Sequence, residues 1–264
     1  MTLRLLLVKL AGSARAQRWL QKIVERSQYL MGIGAGADVE ASGEMSIFRF
    51  LKGRFPPPYT VLDVGANQGQ FLNVVRDELS SVEFLLHCFE PGQATFEILR
   101  TVAGDDNRVT LNHFGLGREP GRAELHYDKP GSGLASMTKR RLDHVGIDLA
   151  FSEEVEIRTV DDYCREHNIN RISLLKIDVE GHELDALAGA KEMFERNAID
   201  MVTFEFGGCN IDTKTYFQDF WYFFQDRKMD IFRVTPSGYL FPVLHHDVSD
   251  EQFRTTNFIA VRAS

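Results

Sequence analysis

Four times after residue 59 a short apolar run is followed by a stretch of helical period, and this alternation constrains the fold more than any other feature. "TVLDVG" (60–65) precedes "GQFLNVVRDELS" (69–80), and "EFLLHCFE" (83–90) precedes "ATFEILRTVAG" (94–104). "ISLLKIDV" (172–179) precedes "ELDALAGAKEMFERN" (183–197), and "IDMVTFEF" (199–206) precedes "KTYFQDFWYFFQDRK" (214–228). Strands that alternate with helices predict an α/β domain: a mostly parallel sheet covered by helices on both faces. "RVTLNHFGLG" (108–117) reads as a third strand running into a loop, "AELHYD" (123–128) as a short strand, and "EVEIRTV" (154–160) as another. "DDYCREHN" (161–168) then starts a helix, with Asp161 expected as its cap. The closing strands "MDIFRVT" and "TNFIAVRA" have no helix between them, so they are expected as an antiparallel hairpin at one edge.

Ahead of this domain, residues 1–52 read as a helical extension, and "GRFPPPY" (53–59) stops it because consecutive prolines cannot sit inside a helix. "GIGAGAD" (32–38) is a flexible break within it. The domain itself is expected over 53–264. The first residues, "MTLRLLLVKL", carry an apolar run that Lys9 interrupts. That run is far short of the roughly 20 residues of a spanning helix. It is read as part of the mature chain rather than a leader. Residues 14–31 suit an amphipathic helix, with Trp19, Leu20, Ile23 and Val24 on one face and Arg15, Arg18, Lys22 and Arg26 around it. Its expected partners are the rest of the domain, a second subunit or an anionic membrane surface. The net charge of −8 leaves no dominant basic footprint for nucleic acid. Cys88, Cys164 and Cys209 have neither disulfide nor metal spacing, which fits a reducing, cytoplasmic compartment.

"VLDVGANQGQF" (61–71) is a strand, a glycine loop and a helix start. Gly65 lets the chain turn off the strand, and Gly69 is expected to open the helix N-terminus to a ligand. The spacing is G-x-x-x-G. It lacks the middle glycine that lets a pyrophosphate reach the backbone, which speaks against a nicotinamide-dependent oxidoreductase. Glu90 ends the next strand, where an acid takes the hydroxyls of a ribose. A ribose acid beside a loop suited to a small carboxylate matches S-adenosylmethionine, with Asp63 expected near its ammonium.

These blocks, with "CFEPGQATFEILR", "LLKIDVEGHELDALAGA", "VTFEFG" and "NFIAV" in this order, resemble the FkbM family of S-adenosylmethionine-dependent methyltransferases over roughly residues 58–262. The resemblance implies a class I, Rossmann-like methyltransferase sheet of seven strands and O-methylation of a hydroxyl on a saccharide, glycolipid or secondary metabolite. The small-molecule or glycan hydroxyl is then the substrate. The family's cofactor motif falls on Asp63, Gly65, Asn67 and Gly69, with Ala66 and Phe71 in the same block. Its ribose acid falls on Glu90, and its adenine position on Gly115 and Leu116. The alternatives are a nicotinamide-dependent oxidoreductase and a non-catalytic cofactor-binding subunit.

Asp178, Glu180 and His182 follow an apolar strand, and Glu205 ends its neighbour. In a parallel sheet these positions reach the carboxyl rim, where ligands collect. His182 is expected as a proton acceptor, with Asp178 or Glu180 orienting it or holding the hydroxyl, and Asp178 also touching cofactor. Glu183 and Asp185 are read as favouring a helix N-terminus. Asp178, Glu180 and Glu205 are also hard oxygen donors of the kind a divalent metal accepts. Their spacing is no known metal signature, so a metal is not expected. The substrate is expected between the 129–140 loop, the 207–215 loop and the aromatic helix at 216–224, although Phe220, Phe223 and Phe224 also have the spacing of a core face.

Overall fold

The computed structural model describes residues 8–9, 11–36, 43 and 45–263. The leader-like stretch over 1–7 and the end of the glycine break at 37–38 lie outside the described residues. In chain order the elements are α1 (Ala14–Leu30), α2 (Met45–Arg54), β1 (Tyr59–Val64), α3 (Gln70–Glu78), β2 (Phe84–Phe89), α4 (Gln93–Ala103), β3 (Val109–Asn112) and β4 (Gly115–Leu116). They continue with β5 (Gly121–Tyr127), β6 (Phe151–Arg158), α5 (Val160–Glu166), β7 (Leu174–Ile177), α6 (Glu183–Ala188), α7 (Lys191–Glu195) and β8 (Met201–Phe206). The last are α8 (Cys209–Thr213), α9 (Phe217–Gln225), β9 (Met229–Val234), β10 (Leu240–Pro242) and β11 (Thr256–Arg262).

The main sheet runs β10-β9-β11-β8-β7-β1-β2-β3. Strands β3, β2, β1, β7 and β8 are parallel neighbours, as the alternation requires. Alternate residues of these strands enter two cores. Leu62, Leu175 and Phe204 join Tyr163, Leu187 and Phe220 on one face. Val61, Leu174 and Ile259 join Phe48, Phe71 and Leu99 on the other. Helix α2 crosses the expected boundary after residue 52 and buries Ile47, Phe48 and Leu51 in the second core.

Four local expectations change. The main sheet has eight strands among the described residues, not seven, because β10 adds to β9. Strand β11 is not at an edge: it lies antiparallel between β8 and β9, and the edge hairpin is β9–β10. Its unbroken apolar run fits this place, since an interior strand is covered on both faces. The helix expected over 183–197 breaks at Gly189, where the chain passes so close to Gly117 that a Cβ would stand 2.0 Å from its carbonyl oxygen. Helix α5 is capped by Thr159, whose hydroxyl accepts from the Asp162 amide at 3.0 Å. Asp161 instead caps α7, accepting from the amides of Glu192 and Met193 at 2.8 and 3.1 Å.

That cap carries a testable cost. Asp161→Ala leaves two amides of the first turn of α7 without their acceptor, and is expected to lower stability by about 1–2 kcal/mol. Urea unfolding should show a lower midpoint with an unchanged slope.

Strands β5 and β6 do not extend the main sheet. With β4 they form a second, three-stranded sheet of order β4-β6-β5. It stands beside the carboxyl ends of β1 and β2, and supplies Leu116, Leu125 and Ile157 to the cavity described next.

Candidate active site

A cavity opens at the carboxyl ends of β1, β2 and β7. Its walls include Val64 and Gly65 from β1, Glu90 and Pro91 from β2, and Asp178 to Glu180 after β7. Leu116, Leu125 and Ile157 give it an apolar side, and Ser132, Gly133, Ala135, Ser136 and Met137 close it from the 129–140 loop.

The turn off β1 is set by two neighbours. Gly65 has φ +79°, and a Cβ there would stand 1.8 Å from the Asp178 carbonyl oxygen. The amides of Gly65 and Ala66 donate to the Phe89 carbonyl at 3.0 and 2.9 Å, fastening the loop to the end of β2. Asn67, with φ +48°, then turns its amide onto Glu90 Oε2 at 3.0 Å, while the Gly92 amide donates to Oε1 at 2.9 Å. Glu90 is buried, and desolvation pushes its carboxyl up to about 7 even though both amides favour the charged form. Each oxygen keeps a second lone pair for a donor arriving from the cavity.

The remaining residues of this block do not line the cavity. Asp63 is fully buried beneath the loop and faces Lys176, whose Nζ lies 3.1 Å from its Oδ1. Burial raises Asp63 above the usual carboxylate range, and the Lys176 charge opposes this. Gly69 begins α3 with φ +90°, and a Cβ there would meet Leu99 and Val102 of α4 at 3.1 Å. Its bareness therefore serves helix packing. Ala66 is buried and Phe71 belongs to the second core. Gly115 and Leu116 do line the cavity, and a Cβ on Gly115 would stand 2.9 Å from Ile157 Cδ1.

Beyond β7, Asp178 keeps its side chain 44% exposed at the cavity, with Lys176 Nζ 3.5 Å from Oδ2. Lys176 thus bridges the buried Asp63 and the accessible Asp178. Glu180 sits at φ +52° and pairs with the buried guanidinium of Arg140, which also lies 3.5 Å from Asp212. Burial, then the Asp178 charge, push the Glu180 carboxyl up to about 7 against the pull of Arg140. The Ser136 hydroxyl donates to the Glu180 carbonyl at 2.9 Å, joining the loop to this turn.

His182 does not line the cavity. Its Nδ1 lies 3.0 Å from Asp185 and its Nε2 3.0 Å from the Thr138 hydroxyl, so both nitrogens are engaged. Glu205 is likewise outside the cavity wall, opposite Asn257 in the β8–β11 pair. Among the described residues no three His, Cys, Asp or Glu side chains gather as metal ligands, so Asp178, Glu180 and Glu205 do not converge in that way. In the aromatic helix Phe217, Phe220 and Phe224 are core, fully buried against Phe204, Phe206 and Phe258, while Tyr216 and Tyr222 stay exposed.

Sequence reasoning missed Arg140 and Glu183. The Glu183 carboxylate is buried, where it accepts from the amides of Gly181 at 3.0 Å and Val179 at 3.3 Å and so holds the turn that carries Glu180. The "EGHE" spacing around Gly181 was the available signal; for Arg140 the "TKRR" run offered none that separates it from its neighbours.

Parallel strands ordered 3-2-1-7-8, an antiparallel strand inserted before β9, and an acid at the end of β2 facing a glycine turn define a class I methyltransferase fold. The chain belongs to the FkbM methyltransferase domain family, whose model matches residues 63–230. It is 28% identical over 148 residues to the 2-O-methyltransferase NoeI of Sinorhizobium fredii (strain NBRC 101917 / NGR234), which covers 52% of this chain and 59% of that one. It is 28% identical over 154 residues to Methyltransferase 1 of Beauveria bassiana (strain ARSEF 2860), covering 51% of this chain and 59% of the relative. The chain thus spans about 59% of the length of these curated relatives. A crystal structure of methyltransferase FkbM from Methylobacillus flagellatus KT superposes with a TM-score of 0.48 at 18% identity, over 81% of this chain and 47% of that one.

Proposed function

We propose that the protein is an S-adenosylmethionine-dependent O-methyltransferase acting on a hydroxyl of a saccharide, glycolipid or secondary metabolite. The observation that carries this reading is the buried Glu90 carboxylate, held by two amides in the same cavity wall as Asp178 and Glu180. The cavity suits the cofactor: spare acceptor capacity on Glu90 fits a ribose, and Leu116, Leu125 and Ile157 offer an apolar face to a base. The similarity to NoeI, a 2-O-methyltransferase, supports an oxygen acceptor.

When bound, S-adenosylmethionine supplies an electrophilic methyl group on a sulfonium. The chain's own residues do the rest. Glu90 holds the ribose hydroxyls, and the Gly65–Asn67 turn shapes the wall beside them. Glu180 takes the proton of the acceptor hydroxyl, since a carboxylate whose pKa is close to neutral is matched to that task. Asp178, with Lys176 beside it, holds the hydroxyl for in-line approach. His182 acts through Thr138, steadying the 129–140 loop over the cavity.

The test is transfer of labelled methyl to a panel of hydroxylated sugars and glycolipids, with and without chelator. Label on a hydroxyl, indifferent to chelator, is expected. Absence of cofactor binding would sink the reading, and binding with no transfer to any acceptor would favour an idle binding subunit. Metal-dependent transfer would restore the carboxylates as cation ligands.

The pH dependence has a definite sign. Ribose hydroxyls donate to the charged form of Glu90, so cofactor affinity should rise as pH climbs through about 7. Turnover should rise over the same window as Glu180 ionises. Apo-protein stability should run the other way. A carboxyl raised in the folded state stabilises below the unfolded pKa, and that contribution is lost as pH rises through about 7. Calorimetric titration, initial rates and melting across pH separate the three.

A further inference from the structure

We propose that helix α1 docks the protein on an anionic membrane surface. The docking itself does not rest on the proposed reaction; only its consequence for a lipid-borne acceptor does. Helix α1 has 17 residues and none is buried. Its apolar side chains stand in solvent: Trp19 is 63% exposed, Val24 53% and Leu30 73%, with Leu20 and Ile23 near 40%. A 3.6-residue period places Trp19, Leu20, Ile23, Val24 and Leu30 on one arc and Arg15, Arg18, Lys22 and Arg26 on the adjoining one. This is the pattern of a helix that lies in a lipid interface, with tryptophan and aliphatic side chains among the acyl chains and arginines at the headgroups.

Charge selects this occupant over a second copy of the chain. Residues 1–26 hold six Lys and Arg and one acid, Glu25, although the whole chain carries 38 acids and a net charge of −8. An anionic surface attracts this segment and repels the rest, so the helix alone meets the lipid. A symmetric pairing through the same face would bring two basic arcs together instead.

The helix is tied down at its carboxyl end. Gln28 bonds Gln252 and Arg254 at 2.8 Å, and the amides of Gly34 and Gly36 donate to the Thr255 carbonyl. Gly32 passes the end of β9, where a Cβ would stand 2.2 Å from the Val234 carbonyl oxygen. These anchors lie at the end of β9 and the start of β11, the same rim of the sheet on which the cavity opens. Strand β11 is two places from β7, or about 10 Å along the rim. A docked helix therefore holds the cavity's rim close to the bilayer, within reach of an acceptor carried by lipid.

The experiment is co-sedimentation of the full chain with vesicles of phosphatidylglycerol and phosphatidylcholine, and with phosphatidylcholine alone. Binding to the anionic vesicles that weakens with salt is expected. Replacing Arg15, Arg18, Lys22 and Arg26 with Gln should weaken it by about 100-fold or more. Trp19→Ser with Ile23→Ser should weaken it at unchanged charge. Because these side chains are exposed, both variants should keep the native melting temperature. Equal binding to neutral vesicles, no binding, or full binding by the Gln variant would overturn the proposal. So would a dimer in light scattering that Trp19→Ser dissolves, since the face would then belong to a second copy.

Discussion

Glu90→Ala is expected to bind S-adenosylmethionine at least about 100-fold more weakly than the native chain, measured by calorimetric titration. Hydrogen bonds to a charged acceptor contribute roughly 1.5–3 kcal/mol each. Two ribose hydroxyls on one carboxylate therefore account for about 3 kcal/mol or more, and each 1.4 kcal/mol is about ten-fold in affinity. The truncation also strips the Asn67 and Gly92 amides of their acceptor, which loosens the turn beside the cofactor. Glu90→Gln separates these effects. It keeps the side-chain volume but puts an amide donor where an acceptor is required, so it should also bind weakly while melting closer to native. Undiminished binding by the alanine variant would remove the ribose assignment and the proposed site with it.

Glu180→Gln should lower kcat by about 10²–10⁴-fold, the usual contribution of a positioned base. Its cofactor affinity should stay within a few-fold of native, because the ribose acid and the glycine turn are untouched. Arg140 retains Asp212 beside it, so the loop keeps an anchor when the carboxylate is neutralised. The rise of turnover through about pH 7 should vanish in this variant. A raised KM with native kcat would instead make Glu180 a substrate-holding group, and native rates at all pH values would exclude it from the reaction. Asp178→Asn is the companion: losing the carboxylate paired with Lys176 should lower activity, and because the Asp178 charge helps raise Glu180, the inflection should move to lower pH rather than vanish.

Much of this site was legible because its residues follow strands that end on a common rim. Glu90 closes "FLLHCF" and Asp178 follows "LLKI", so apolar periodicity alone placed both at the cavity. The same reasoning could not foresee that Gly69 also makes room for Leu99 and Val102, since a glycine at a helix start reads alike whether a ligand or a neighbouring helix needs the space. Asp63 shows a related limit. Its place in the strand was plain, but its partner Lys176 lies 113 positions away, and only the β1–β7 register puts the two side by side.

The sequence by itself determined the α/β alternation, the parallel strands, the glycine turn at Gly65 and the carboxylates at the strand ends. Each of these is encoded in contiguous residues, through burial period and backbone preference. Tertiary structure alone decided that β11 runs inside the sheet, that β5 and β6 form a separate wall, and that Gly117 breaks a helix at Gly189. It also decided that Arg140 meets Glu180 and that His182 turns to Thr138. Those outcomes depend on which distant segments approach within a few ångströms, and a local pattern carries no record of that distance.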